Sequence, residues 1–419
     1  MRIAVIGAGI IGITTAYELA ADGHEVTVIE RRSAAAEESS FANAGIGAAS
    51  ALAPSAAPGR PTQLMANFFR RHSSTKLSLP LLGDDLAWMR QWLRACKPET
   101  HQANCARLQR LAFYSRERLH LLTAQRQLDY ERSEGCLMLL RSKKEARQWQ
   151  AGLQSLHDAG VAFEQLDADQ TRAIEPSLSA ITELLGAIHL PGEEAGNCRQ
   201  FALLLKTEAQ NLGVNFVFNT EVSHIDHAQP ATLLIANSDE AYAFDRIVVC
   251  AGLASVGLLK PLGLKIPMVA IHGYSLTAIV RDPLNGPQGA LRDERYQVSI
   301  SRLGNRIRVS GCAEIGGTLD SRSESSIHLL YKVLQDWFPG AAQLSPAQGS
   351  VQIWKGARPM LPDGPPLIGD SGLPGLWLNV GHGASGWALS CGSARALADL
   401  MAGRPTEIDM EGLGLERLR

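Results

Sequence analysis

Gly7-Ala8-Gly9-Ile10-Ile11-Gly12 follows an apolar run and opens a stretch with the spacing of an amphipathic helix. Chemistry at a phosphate needs glycines in this pattern. The first permits a tight turn, the second lets backbone N–H groups approach a pyrophosphate, and the third lets helix and strand pack closely. The start of the helix adds partial positive charge, so Gly7, Gly9, Ile10, Ile11 and Gly12 are expected against a dinucleotide. Glu30 ends the next apolar run, with Arg31 beside it, where a carboxylate accepts hydrogen bonds from a ribose. Glu rather than Arg at position 30 argues against a 2′-phosphate. The motif alone leaves FAD and NAD open.

The elements that must position these residues read as a strand over residues 2–6, a helix over 10–21 and a strand over 25–30, a βαβ start. Residues 33–60, rich in Ala, Ser, Gly and Pro, read as a long loop. Two helices are expected between 84 and 127, another over 145–159, a turn over 191–196, and a helix over 199–212 leading into alternating strands through 226. Residues 245–250 read as a strand that is apolar from 247 onward and ends in Ala251-Gly252, the pattern of a buried parallel strand with a turn at its carboxyl end. Strands are expected over 268–277, 297–301 and 306–311, a helix over 323–338, and a final strand, glycine turn over 381–386, and helix to 401. Arg306 and Arg308 alternate with Ile307 and Val309 and read as a solvated face. The pattern is α/β at both ends with an α+β insertion.

The 419 residues are 45% hydrophobic and 20% charged, with a net charge of -2. Such a chain buries a large core and divides into two or three structural units. Disordered and fibrous classes are excluded. The balanced charge gives no global attraction to nucleic acid, so small-molecule partners are expected. Cys96, Cys105, Cys136, Cys198, Cys250, Cys312 and Cys391 are scattered, with no CxxC pair and no Cys/His cluster at metal-ligand spacing. Reduced thiols, a cytoplasmic compartment and no metal are therefore expected. Met1-Arg2-Ile3 runs straight into the first strand, which argues against a signal peptide. No apolar stretch reaches the roughly 18 residues of a spanning helix, so any membrane contact is expected to be peripheral.

Beyond the glycine fingerprint, the chain carries Ala42-Asn43-Ala44-Gly45, His272-Gly273-Tyr274-Ser275-Leu276-Thr277, Asn305-Arg306-Ile307-Arg308-Val309, Gly356-Ala357-Arg358-Pro359-Met360 and Gly381-His382-Gly383-Ala384-Ser385-Gly386-Trp387. In these motifs and their order it resembles, essentially end to end, the FAD-dependent D-amino acid dehydrogenase family, quinone-linked relatives of D-amino acid oxidase and glycine oxidase. The resemblance implies a Rossmann-type FAD-binding domain, formed by residues 1–50, 192–260 and 350–419, and an α+β substrate-binding domain, formed by 51–191 and 261–349. This is a glutathione reductase-like, D-amino acid oxidase-like α/β fold.

The resemblance also assigns roles. Asn43, Ala44 and Gly45 are expected against the isoalloxazine ring, Val222 against adenine, and Cys250, Ala251 and Gly252 over the phosphates or ribityl chain. Gly381, Gly383, Ala384, Ser385, Gly386 and Trp387 form the second flavin turn. Arg358 is the expected clamp on a substrate carboxylate, a task suited to the paired donors of a guanidinium. His382 is expected to position the flavin loop or to move a proton, and Tyr274 and Tyr296 to lie over the substrate or in the core. The implied reaction is oxidative deamination of a D-amino acid, with electrons passing to a quinone. An oxidase using O2 and a proline or hydroxyproline dehydrogenase are the alternatives. The basic, Phe-rich residues 67–71 are read as either a peripheral contact with the inner face of the cytoplasmic membrane or a surface loop. Ala357 replaces a bulkier apolar residue of the family pattern, leaving side-chain preference open.

Overall fold

Strand Arg2–Ile6 is buried on both faces from Ile3 onward. Successive side chains point to opposite sides of a sheet, so Ile3 and Val5 face one way and Ala4 and Ile6 the other. Ile3 and Val5 pack with helices Ile10–Ala21, Pro98–Arg126, Cys198–Asn211 and Gly386–Met401. Ala4 and Ile6 pack on a three-stranded antiparallel layer made of Val222–Asp226, Ala231–Ile235 and Ala241–Phe244. Burial on both sides is why the parallel strands read as near-continuous apolar runs.

The chain is described by a computed structural model apart from residues 48, 63, 65–73, 80, 82, 229–230, 239, 345–350 and 419. Asn215–Val217, Glu25–Ile29, Arg2–Ile6, Arg246–Val249 and Leu376–Val380 are parallel neighbours in that order, and Leu367–Asp370 closes the six-stranded sheet antiparallel to the last of them. The last helix is tied to the first through buried Arg395, which pairs with Glu18 at 2.8 Å, Asp22 at 2.6 Å and Asp399 at 2.9 Å.

A nine-stranded mixed sheet forms the second layer system. In order it runs Val351–Met360, Val269–Ile279, Arg306–Gly316, Val298–Leu303, Ala290–Asp293, Ser133–Leu140, Gly186–Ala195 and Glu164–Asp167, and Thr75–Ser78 pairs with Arg306–Gly316. One face carries Tyr274, Leu276, Ile307 and Val309 against helix Glu324–Trp337. The two-residue period turns Gly273, Arg308, Ser310 and Arg358 to the other face, which borders a cavity between the sheets.

Three readings change. Residues 191–196, expected as a turn, belong largely to strand Gly186–Ala195. Pro191 lies beyond His189, where pairing with Glu164–Asp167 ends, and opposite a register shift at Glu134/Cys136. Its missing N–H therefore breaks no ladder bond on that side. Val351–Met360 is an outer strand of the large sheet, while Pro98–Arg126 packs on the helices of the smaller one. Arg308 is buried rather than solvated, with 5% exposure. The reason is the cavity, which gives this strand a polar face that does not look onto bulk water.

Candidate active site

The carboxyl ends of the six-stranded sheet and the polar face of the large sheet converge on a cavity of about 2080 Å³. At one end is the glycine turn. Gly7 has φ +103°, donates to Ile29 O at 2.8 Å, and has no room for a Cβ, which would sit 2.7 Å from Cys250 O. A Cβ on Gly12 would lie 1.8 Å from Gly7 O, so this glycine sits behind the cavity wall and sets the helix–strand approach. Gly9, Ile10 and Ile11 border the cavity. Helix Ile10–Ala21 has no side-chain cap at Gly9 and no acid in its first turn, which leaves its positive end suited to phosphate. Glu30 is fixed by Ala8 N at 2.7 Å and Arg32 N at 2.8 Å. Arg31 pairs with Glu38 at 2.5 Å, and Arg31, Val222, Cys250, Ala251 and Gly252 continue the same wall. These groups fit a dinucleotide.

Next along the cavity comes the loop Asn43-Ala44-Gly45, held by the large sheet. Ser301 Oγ donates to Ala44 O at 2.8 Å and Arg308 Nη1 donates to Asn43 O at 3.3 Å, both from the large sheet. Gly45 has φ +75° and lies behind the wall, accepting a hydrogen bond from Gly196 N at 2.9 Å. Burial and neighbouring Arg306 pull the Arg308 guanidinium down to about 10, still protonated near neutrality. Facing this loop is the turn Gly381–Gly386. Gly381 and Gly383 have φ +80° and +56°, and Cβ atoms there would lie 2.5 Å from Leu361 Cδ1 and Met360 Sδ. Gly383, Ala384, Ser385, Gly386 and Trp387 border the cavity, and helix Gly386–Met401 begins there with no side-chain cap and no acid in its first turn. A helix start of this kind stabilises negative charge on a ring placed against it. The Trp387 indole N–H is buried and has no hydrogen-bond partner among the described residues.

A backbone bridge between Met360 and His382 sets this turn beside the strand that carries Arg358. Trp354, Gly356 and Arg358 share one face of that strand, and Gly356 pairs directly with Gly273. A Cβ on Gly273 would sit 2.2 Å from Arg358 Nη2, and one on Gly356 only 1.7 Å from the Trp354 ring. The paired glycines thus form a floor under an indole and a guanidinium. Arg358 Nη1 donates to Cys312 O at 2.8 Å. That carbonyl is aimed by a β-bulge, where the register shifts at His272/Tyr274 and Cys312 takes φ +64°. Among the described residues Arg358 has no carboxylate partner, although it is enclosed by protein and its charge is disfavoured there. A buried guanidinium without an acid is suited to receive one from a ligand.

Tyr274 and Tyr296 border the cavity, and each is also held by neighbouring side chains. The Tyr274 hydroxyl donates to Glu314 at 2.5 Å and accepts from Ser323 N at 2.9 Å, and the side chain belongs to the core under helix Glu324–Trp337. The Tyr296 ring lies between Arg141, at 5.1 Å, and Lys332, at 5.0 Å. Both make packing contacts as well as bordering the cavity. His382 is buried, 3.1 Å from Ser393 Oγ, and loss of solvent pushes its pKa down to about 3. It is therefore uncharged near neutrality and contacts helix Gly386–Met401 through Ser393. The residues 67–71 lie outside those described. Not singled out from sequence were Trp354, the hydroxyl row Ser275, Ser310 and Ser299, and Arg60 and Arg292. The alternation Trp354-Gly356-Arg358 was the signal available for the first.

A family model described as FAD dependent oxidoreductase matches residues 2–400, and the chain belongs to that family. FAD is its cofactor and oxidoreduction its chemistry. Two relatives, the D-amino acid dehydrogenases of two strains of Cereibacter sphaeroides, are each 40% identical over 419 residues, covering all of this chain and 95% of their own. Among solved structures, glycine oxidase from Geobacillus kaustophilus superimposes with a TM-score of 0.76 at 21% identity, covering 99% of this chain and 98% of its own. L-proline dehydrogenase from P. horikoshii gives 0.73 at 17% identity, covering 100% and 97%. These two share the fold.

Proposed function

We propose that this enzyme oxidises D-amino acids, with water, to 2-keto acids and ammonia, with a quinone-type compound as the final electron acceptor. The observation that carries this reading is the buried, acid-free guanidinium of Arg358 beside the Gly381–Gly386 turn. Bound FAD supplies the two-electron acceptor. Arg358 holds the substrate carboxylate and so fixes the α-carbon relative to the turn, converting binding energy into orientation. His382 stays neutral and keeps the turn in place. The loop Asn43-Ala44-Gly45 closes the cavity on the other side and limits water. The Cereibacter sphaeroides dehydrogenases, similar over the full chain, support the D-amino acid as substrate.

Peripheral membrane contact accompanies the quinone reading. Among the described residues no helix is long and apolar enough to cross a membrane. Helix Gly83–Ala95 nevertheless exposes Leu86 and Leu93 on the same face as Arg90 and Arg94, next to exposed Leu79, a combination that suits an anionic lipid surface. Flotation with anionic vesicles should bring the protein up, and Leu86→Asp with Leu93→Asp should leave it at the bottom. Equal partitioning of the two discards the contact.

Anaerobic bleaching of the bound flavin by a panel of D-, L- and imino acids, followed by re-oxidation with a ubiquinone analogue or O2, tests the reaction. Bleaching by D-amino acids and faster recovery with quinone is the expected result. Bleaching confined to L- or imino acids overturns the substrate, and equal recovery with O2 overturns the acceptor.

A further inference from the structure

The cavity has an apolar end on the side of helix Gly83–Ala95. That helix buries Asp85, Trp88, Trp92 and Ala95, at the three- and four-residue intervals of a single helical face. The Trp88 and Trp92 rings lie nearly parallel, 13° apart in plane with centroids 6.3 Å apart. They pack in one cluster with Ile271 and Ile315 of the large sheet, and Leu64 and Met360 adjoin it. All six border the cavity. Indoles and aliphatic side chains turned towards a cavity suit a flat, uncharged ring with an apolar tail.

This end is tied to the Gly381–Gly386 turn. Trp88 Nε1 donates to Met360 O at 2.9 Å. Met360 is bridged through its backbone to His382, and its sulfur lies 2.5 Å from where a Cβ on Gly383 would stand. One residue, Met360, therefore links the indole pair to the turn expected against the flavin. On its outer side the same helix exposes Leu86 and Leu93 together with Arg90 and Arg94. The face suited to lipid and the face on the cavity are thus separated by the width of one helix, about 10 Å.

We infer that the apolar end beside Trp88 and Trp92 holds the ring of the quinone acceptor, which arrives from a lipid surface met by the outer face of helix Gly83–Ala95. The inference rests on the quinone reading above and gives that acceptor its site. The quinone takes from reduced FAD the two electrons and two protons left by the amino acid, and departs as the hydroquinone. A substrate side chain is the competing occupant, since Ile271 is the cross-strand partner of Arg358. An amino acid arrives from water, however, and gains nothing from the outer Leu86 and Leu93 face. A quinone dissolved in lipid uses both faces of the helix.

The test uses the FAD-loaded enzyme and separates the two half-reactions. Anaerobic flavin bleaching by D-alanine and D-leucine, and re-oxidation by a short-chain ubiquinone, are timed in the parent and in Trp92→Ala. An azido derivative of the same quinone is photolysed on the unmodified protein and the labelled peptides are mapped. A fall of about tenfold in the ratio of re-oxidation rate to bleaching rate is expected in the variant, with label on residues 83–95. An unchanged ratio, or label confined to other peptides, overturns the inference while leaving the quinone acceptor intact. A ratio that rises because bleaching by D-leucine slows gives this end to the substrate side chain and also overturns it. A parent enzyme that the quinone re-oxidises no faster than O2 overturns acceptor and site together. Should Trp92→Ala fail to retain FAD, the label on the unmodified protein decides.

Discussion

The guanidinium of Arg358 lies on the bare backbone of Gly273, with Nη2 2.2 Å from where a Cβ would stand. The arginine's position is thus set by what is missing from the neighbouring strand. Gly273→Ala must push the guanidinium towards the cavity or away from Cys312 O. A rise in KM for the amino acid of about tenfold, equivalent to about 1.4 kcal/mol, is expected, with FAD content unchanged. Substrate titrations of flavin absorbance measure it, and an unaltered KM removes Gly273 from the site.

Arg358→Lys keeps a charge but loses the flat pair of donors. Recovery of only part of the activity lost in Arg358→Ala is expected. The alanine variant should fall about a hundredfold in kcat/KM, roughly the 3 kcal/mol of a charge-assisted hydrogen bond. Equal activity of lysine variant and parent would mean that charge alone matters.

Burial pushes the pKa of the His382 imidazolium down to about 3. No change of its charge is therefore expected between pH 5 and 8. Profiles of kcat/KM for the parent and His382→Gln should bend at the same pH values, even where the variant is slower through loss of the Ser393 contact. Disappearance of a bend near pH 6 to 7 in the variant would instead make the imidazole a proton carrier.

Glu314 is a buried carboxylate. Burial raises its pKa, but the hydrogen bonds from Tyr274 and Ser78 and the Lys355 ammonium 3.2 Å away more than reverse this and hold it below the usual carboxylate range. A depressed folded pKa stabilises the fold above the unfolded value and loses that contribution as pH falls through the folded one. Glu314→Gln should thus destabilise the protein at pH 7, by about 3 kcal/mol where one partner of a buried pair is removed. The difference should shrink below about pH 4. Thermal melts of both proteins at the two pH values check the sign, and a constant difference contradicts it.

The nucleotide end was legible because its requirements are local: a turn, a helix start and a carboxylate at the end of the next strand all lie within the first 30 residues. Arg308 was misread because alternation reveals that a strand has two faces without revealing what each face meets. Here the polar face meets an enclosed cavity. Tyr274 was left ambiguous, yet parity held the answer, since a cavity-facing Gly273 turns residue 274 towards the helix. Arg60 and Arg292 were beyond reach from sequence. They stand 232 positions apart, counting from 60 to 292, and line one cavity only through the fold. Pro191 gave a turn signal that its place beyond the end of a paired edge overrode.

The loop Asn43-Ala44-Gly45 leaves the nucleotide sheet but takes its hydrogen bonds from Ser301 and Arg308 of the large one. Neither sheet can therefore relax without disturbing the flavin's surroundings. On heating, the holoenzyme should come apart in one cooperative transition, with flavin fluorescence and backbone circular dichroism changing together rather than in sequence.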